Sequence, residues 1–163
     1  MADYINDIID AVIELMEDTD PYATIVRGPL PPDNGIAVYM ATGSPNATFC
    51  NKRIVYDFNL TLNGKHASQQ TVSAALNAIH TALTTTKDYP DTDYWQICDI
   101  ESVALPSYLN REQNNQYLYG SSLRVRAYIW SFDDPPEPTP PAETETEPAD
   151  DLDNTDDVND NEE

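Results

Sequence analysis

Apolar residues recur every three or four positions between residues 4 and 17, with polar side chains between them. The apolar positions are Ile5, Ile8, Ile9, Val12, Ile13 and Met16. This spacing places one apolar stripe along an α-helix. Asp3 is a suitable N-cap, and Pro21 prevents the helix from continuing further along the chain. We therefore predict an amphipathic helix over residues 4–17.

A second helical pattern runs from about residue 69 to about Thr84, with Ser68 as its N-cap. Its apolar stripe consists of Val72, Leu76, Ile79 and Leu83. Four alanines in the same stretch favour close packing of this helix on a sheet.

Four further segments have the character of strands, at residues 36–40, 52–62, 94–105 and 117–132. Between them we predict a connector at 27–35, a loop at 43–47 and polar loops at 84–93 and 107–116, and we expect Pro106 to end the third strand. A short apolar piece at 23–26 has no predicted partner. The sequence thus predicts an α+β fold, an antiparallel sheet of about four strands with two helices packed on it.

The last segment, residues 133–163, holds fourteen of the twenty-nine acids and no Lys, Arg or His. It begins with a proline-rich run and has almost nothing apolar to bury, so we predict a disordered acidic C-terminal tail. The predicted folded domain is residues 1–132. That domain has fifteen acids against eight bases, a net charge of −7 where the whole chain has −21.

Composition excludes several classes of protein. The chain shows neither a signal peptide nor a stretch of about 20 apolar residues, so we expect no membrane association and a cytoplasm-like compartment. Cys50 and Cys98 have no metal-binding spacing, and we expect buried thiols. The strong negative charge argues against sequence-specific binding of nucleic acid.

The search for catalytic chemistry selects no site. His66 and His80 are not at the spacing of metal ligands, and there is no glycine-rich phosphate loop. Asp99 and Glu101 share a strand face and are compatible with acid–base work, but a solvated face is the more ordinary interpretation. An acidic window in the tail lacks the glycine and the flanking helices of a calcium loop. We predict no enzyme, no cofactor and no metal.

One surface does stand out, the outward face of the last strand. Leu123, Val125, Ala127 and Ile129 alternate with a second set that consists of Arg124, Arg126, Tyr128 and Trp130. Arg, Tyr and Trp dominate the energetics of protein interfaces. We predict that this second set contacts another subunit or a partner protein, although helices covering this face, or an inverted register of the strand, would also explain the pattern.

The order of the elements resembles the tail terminator, or head–tail joining (minor capsid), proteins of long-tailed bacteriophages. The resemblance begins with the opening helix and the connector Gly28-Pro-Leu-Pro-Pro-Asp-Asn-Gly35, which runs into Ile36-Ala-Val-Tyr39. It continues with the strand that ends at Asn63-Gly64 and the helix over Val72–Leu83. The segment Trp95–Ile100 followed by Pro106, and the last strand, complete it. The resemblance covers most of residues 1–132 and none of the tail.

This resemblance implies a structural virion protein at the neck, assembled in the host cytoplasm. It implies a homo-oligomer, a hexameric ring that closes the tail tube and docks on a head-completion or connector protein, with DNA passing through. In such a ring Arg53, Arg124 and Arg126 would meet acids of the neighbouring subunit, with Asp57, Asp99 and Glu101 as candidates.

Two alternatives belong to other classes. An acidic interaction or decoy protein, a nucleic-acid mimic or assembly chaperone, would spread its acids over the folded surface, whereas nearly half lie in the tail here. A small hydrolase would use Asp99 and Glu101, or Cys98. The tail itself is expected to keep unassembled subunits soluble and apart by charge repulsion; the alternatives are docking on a basic patch of a tail or connector protein, or no specific role.

Overall fold

The computed structural model describes residues 4–51 and 53–130. Its elements follow the order α1 (Tyr4–Glu17), β1 (Ile25–Arg27), β2 (Gly35–Thr48), β3 (Ile54–His66), α2 (Gln69–Thr85), β4 (Trp95–Arg111) and β5 (Tyr117–Ile129). The five strands form one sheet in the order β1-β2-β3-β5-β4. β1 pairs with β2 in parallel, and the other three pairs are antiparallel.

Both helices cover one face of the sheet and bury the apolar stripes that the sequence shows. Ile8, Ile9, Val12 and Met16 of α1 are buried in the same core as Val72, Leu76, Ile79 and Leu83 of α2. The Ser68 hydroxyl accepts a hydrogen bond from the Thr71 amide, so the predicted N-cap of α2 is confirmed. The predicted cap of α1, Asp3, lies outside the described residues.

The α+β class is confirmed, but the prediction of about four antiparallel strands is wrong. The additional strand is β1, which spans three residues and pairs Ile25 with Ile36 in parallel. Three residues are too few to show a two-residue period in the sequence. The pairing nevertheless satisfies backbone groups beside the connector and buries Ile25 in the core.

Two predicted breaks in the strands are also wrong. The predicted loop at 43–47 belongs to β2, which pairs with β3 as far as Thr48 with two shifts in register. Pro106, expected to end a strand, lies within β4, which continues to Arg111. Both Pro45 and Pro106 occupy strands with only one long neighbour, where the missing N–H of proline is tolerated.

The boundary predicted at residue 132 and the whole acidic tail lie outside the described residues. Within them, Cys50 and Cys98 are both exposed, so the prediction of buried thiols is wrong. Cys50 follows the end of β2, and Cys98 lies at a register shift of β4, where the alternation of buried and exposed positions is interrupted.

Candidate assembly surface

The face of the sheet opposite the helices carries the side chains predicted to form an interface. In β5 the inward set, Leu123, Val125, Ala127 and Ile129, is buried, as predicted. The outward set, Arg124, Arg126 and Tyr128 together with Trp130 just after the strand, is half-buried. The alternation predicted for this strand is therefore confirmed, and neither of the two described helices covers its outward face.

Neighbouring strands place acids directly beside the two arginines. Arg126 of β5 lies opposite Asp57 of β3 and Asp99 of β4, and Arg124 lies opposite Glu101 of β4. The Arg126 guanidinium donates to Asp57 through two atoms, with Nε to Oδ1 at 2.8 Å and Nη2 to Oδ2 at 3.3 Å. Arg124 forms an ion pair with Glu101.

These contacts hold the carboxylates in their charged form. The hydrogen bond from Arg126 lowers the pKa of Asp57, and a second hydrogen bond, from the Asn46 amide at 2.7 Å, acts in the same direction. The hydrogen bond from Arg124 likewise lowers the pKa of Glu101. Because each of these charges has a partner of opposite sign, this part of the face is a paired charge network.

The network changes the interpretation of these residues. The partners assigned to a neighbouring subunit for Arg124 and Arg126 lie in the same chain. A lowered pKa also makes Glu101 a poor general acid near neutral pH. Partial desolvation raises the pKa of the Cys98 thiol, which disfavours a nucleophilic thiolate. A decoy that imitates nucleic acid would present unpaired acids, and Asp57 and Glu101 are paired.

Beside the network lies an open aromatic concavity of about 550 Å³, lined by Phe49, Cys50, Asn51, Arg53, Gln96, Tyr128 and Trp130. The Arg53 guanidinium lies over the Trp130 ring at 5.5 Å from its centroid. The rings of Phe49 and Tyr128 stack with centroids 6.0 Å apart. Three of the eight predicted interface residues, Arg53, Tyr128 and Trp130, therefore line one concave surface.

Phe49 was missed in the sequence, because it follows a segment predicted to be a loop. Its ring is 45% exposed, which is unusual for phenylalanine, and this exposure marks it as part of the surface. The apolar side chains at the far end of β4 were missed for a similar reason, since they lie beyond Pro106 or just before it. Val103, Leu105, Tyr108 and Leu109 are all more than half exposed.

The described residues contain no group of His, Cys, Asp and Glu side chains arranged to hold a metal ion. His80 is buried in α2, and its Nδ1 lies 2.6 Å from the Ser102 hydroxyl. The His66 Nδ1 accepts a hydrogen bond from the Ser68 amide at 2.9 Å. Neither described helix is long and apolar enough to cross a membrane.

Comparison with known proteins connects this fold to a family. The family model described as bacteriophage tail terminator protein matches residues 5–129, from the first turn of α1 to the end of β5. A search of curated proteins finds no match. A chain from the virion of a native gene transfer agent (GTA) particle shares the fold with a TM-score of 0.53. It is 15% identical, and the alignment covers 73% of this chain and 92% of that chain.

Proposed function

Because the chain belongs to the bacteriophage tail terminator family, as the match over residues 5–129 shows, we propose that it closes the tail tube and joins it to the head. Membership makes it a structural protein of the virion tail, in a family that is not one of enzymes. The finer proposal is a hexameric ring that sits on the last ring of tail tube protein and receives the head-completion or connector protein.

The extent of the family match carries this proposal. It includes both helices and all five strands, so the family resemblance belongs to the whole described fold and not to one motif. The similar chain from a gene transfer agent virion supports the fold, and its place in a virion is in keeping with the proposed location.

The outward face of the sheet is the proposed contact surface. Two ion pairs, Arg126 with Asp57 and Arg124 with Glu101, together with Asp99 opposite Arg126, give this face a small net charge of −1. The aromatic concavity beside it offers Tyr128 and Trp130 with a cation, Arg53, held over one ring. Aromatic and arginine side chains that lose water on binding supply most of the affinity of protein interfaces, so we assign this concavity to a partner protein.

The strong negative charge fits a protein through which DNA passes. Like charges on the ring and on the phosphate backbone would disfavour sticking of the DNA in the channel. The fourteen acids after residue 132 would in addition keep free subunits apart before assembly. We also propose that the chain acts as a minor capsid protein, and that its partners are the tail tube protein and the head-completion or connector protein.

Tube growth and head joining test the function together. Purified tail tubes incubated with the full chain should stop adding tube protein at one end, and only these tubes should then join DNA-filled heads. Tubes without the chain provide the control. Unchanged tube growth and equal head joining at saturating chain concentration would contradict the proposal.

The concavity is tested by Phe49→Ala, with Phe49→Tyr as the matched control. Phe49 is exposed, so its removal should leave the fold intact. We expect at least about tenfold weaker capping for Phe49→Ala, which corresponds to about 1.4 kcal/mol, and little change for Phe49→Tyr. Equal capping by both variants would remove the concavity from the contact surface.

A further inference from the structure

Among the residues that the structure describes, parts of two strands have no neighbour on one side. β1 pairs only with Ile36, Ala37 and Val38 of β2, so the stretch Tyr39–Thr48 has a free edge among the described residues. At the other side of the sheet, residues 90–92 cover only the beginning of β4. There the Ile97 amide donates to the Pro90 carbonyl at 3.3 Å, and Asp91 bridges to Gln96.

Neither free edge has the charged side chains that usually protect one. No charged residue occurs from Asn34 to Asn51 or from Ser102 to Asn110, although 23% of the chain is charged. Exposed apolar side chains lie there instead, with Leu105 at 66%, Val103 at 58% and Tyr39 at 43%. An exposed, uncharged edge strand pairs readily with another chain, so we expect another chain to bind these edges.

One proline interrupts each free edge, Pro45 in β2 and Pro106 in β4. Each proline removes one N–H donor from its strand. Register shifts also interrupt both stretches, at two places between Met40 and Ala47 in β2 and at three places between Ser102 and Asn110 in β4, so only short regular segments remain. Prolines on edges also hinder pairing in arbitrary registers. The two edges are therefore open to a contact in which short ladders flank the prolines and apolar side chains supply much of the binding.

The two edges fit each other in direction. β2 is antiparallel to β3, β3 to β5, and β5 to β4, so β2 and β4 run in opposite directions. If the sheet continues from β4 of one copy into β2 of the next, the new pair is antiparallel, like the three long pairs within the chain. The buried and outward faces of successive sheets also stay on the same sides.

The free stretches lie towards opposite ends of the sheet. The middle of the β2 stretch, Ser44, lies opposite Asp57 of β3. The middle of the β4 stretch, Pro106, lies near Ser121, which is opposite Leu62 of β3. Side chains stay on the same face only if the shift is an even number of residues, so pairing these stretches shifts each copy by about four or six residues, or about 14–20 Å at about 3.4 Å per residue.

This shift gives a strand tilt similar to that of closed β-barrels. The four long strands of one copy span about 19 Å at about 4.8 Å per strand. A rise of about 14–20 Å over that width tilts the strands by about 35–47°, close to the roughly 35–45° typical of closed β-barrels. A contact between two different patches that repeats with a fixed offset leaves no edge exposed once the ring closes.

We propose that the free edge of β4, Val103–Asn110, binds the free edge of β2, Tyr39–Thr48, of a second copy of this chain. This contact joins successive subunits of the ring, and the inference rests on the proposed ring function. The aromatic concavity remains available to a different protein. The exposed apolar side chains of β4 contact the neighbouring copy.

Cysteine cross-linking tests the contact directly. In a full-length chain with Cys50→Ser and Cys98→Ser, Ser44→Cys and Ser107→Cys are introduced separately, and the chains are oxidised with purified tail tubes. We expect covalent dimers when the two variants are mixed, and less than a tenth of that yield from either alone. A chain with both cysteines should give a ladder of covalent oligomers up to the size of the ring. Thr42→Cys and Asn46→Cys cover registers two residues away.

A charge on the edge provides a second measurement. Leu105→Lys should reduce ring formation on tubes at least about tenfold, because it places an ammonium group in the contact. Ala78→Lys adds the same charge on the exposed side of α2 and should leave ring formation unchanged. Thermal unfolding of both variants verifies that they fold.

The outcomes separate this inference from the proposed function. If rings form on tubes but no β2 cysteine links to a β4 cysteine, or if Ser107→Cys links chiefly to itself, the edge contact is wrong and the ring function stands. Rings from Leu105→Lys at the wild-type yield would also overturn the contact. If the wild-type chain forms no ring on tubes, the ring function fails and the edge contact fails with it.

Discussion

The buried ion pair between Lys65 and Glu112 supplies a quantitative prediction about how the β4–β5 turn is held. Lys65 of β3 has a side chain that is only 6% exposed, and its Nζ lies 3.1 Å from Glu112 Oε2. Glu112 begins the turn, where its amide donates to the Gln116 carbonyl at 2.8 Å. Glu112→Gln keeps the size of the side chain but leaves the buried ammonium without its counter-charge.

The loss of folding stability expected for Glu112→Gln lies between two limits. Breaking a buried ion pair from one side costs about 3–5 kcal/mol, whereas an exposed pair contributes about 0.2–1 kcal/mol. The Glu112 side chain is 35% exposed, so water screens part of the loss, and we expect about 2 kcal/mol. For a folded part of this size that lowers Tm by about 6–10 °C.

Replacing Lys65 instead of Glu112 should lower the free energy of unfolding far less. Lys65→Met replaces the cation with an apolar chain of similar length and leaves the partly exposed Glu112 carboxylate in contact with water, so we expect a cost below about 1 kcal/mol. The double variant Lys65→Met/Glu112→Gln should resemble Lys65→Met alone. Urea unfolding followed by circular dichroism measures all three variants. If Lys65→Met costs as much as Glu112→Gln, a stranded buried charge is not the source of the effect.

Three further predictions concern pH and packing. Asp57→Asn should lower Tm at pH 7, and its difference from wild type should disappear as the pH falls through the lowered pKa of Asp57, because protonation removes the same charge. Burial lowers the pKa of His80 below its ordinary value, so the folded chain favours the neutral ring. The wild type therefore loses folding stability as the pH falls from about 7 to 5. His80→Leu lacks this group, and its Tm should fall less over that range. Gly64→Ala would place a Cβ 2.9 Å from Val72 Cγ2, and thermal unfolding should show a loss of about 1–3 kcal/mol.

The sequence correctly predicted the elements in which buried side chains recur at a regular spacing. The apolar stripe of α1 and the alternation of β5 reflect which side chains are buried, and each is confirmed over nearly its full length. Turn-forming residues were a poorer guide. Pro45 and Pro106 mark loops only when no neighbouring strand supplies hydrogen bonds, and in this sheet β3 and β5 supply them.

The candidate surface was predictable in its residue types but not in its contacts. The outward direction of Arg126 follows from alternation within one strand. Its partner Asp57 lies 69 residues away, and only the register of β3 against β5 brings the two together. The same holds for Phe49, whose stacking on Tyr128 depends on where the turn between β2 and β3 lies beside β5.

Images of tail tube ends incubated with the full chain test the central claim most directly. Negative-stain class averages should show a six-fold ring on one end of each tube, absent from tubes without the chain. Tubes whose ends remain bare at saturating chain concentration would contradict a tail-closing ring.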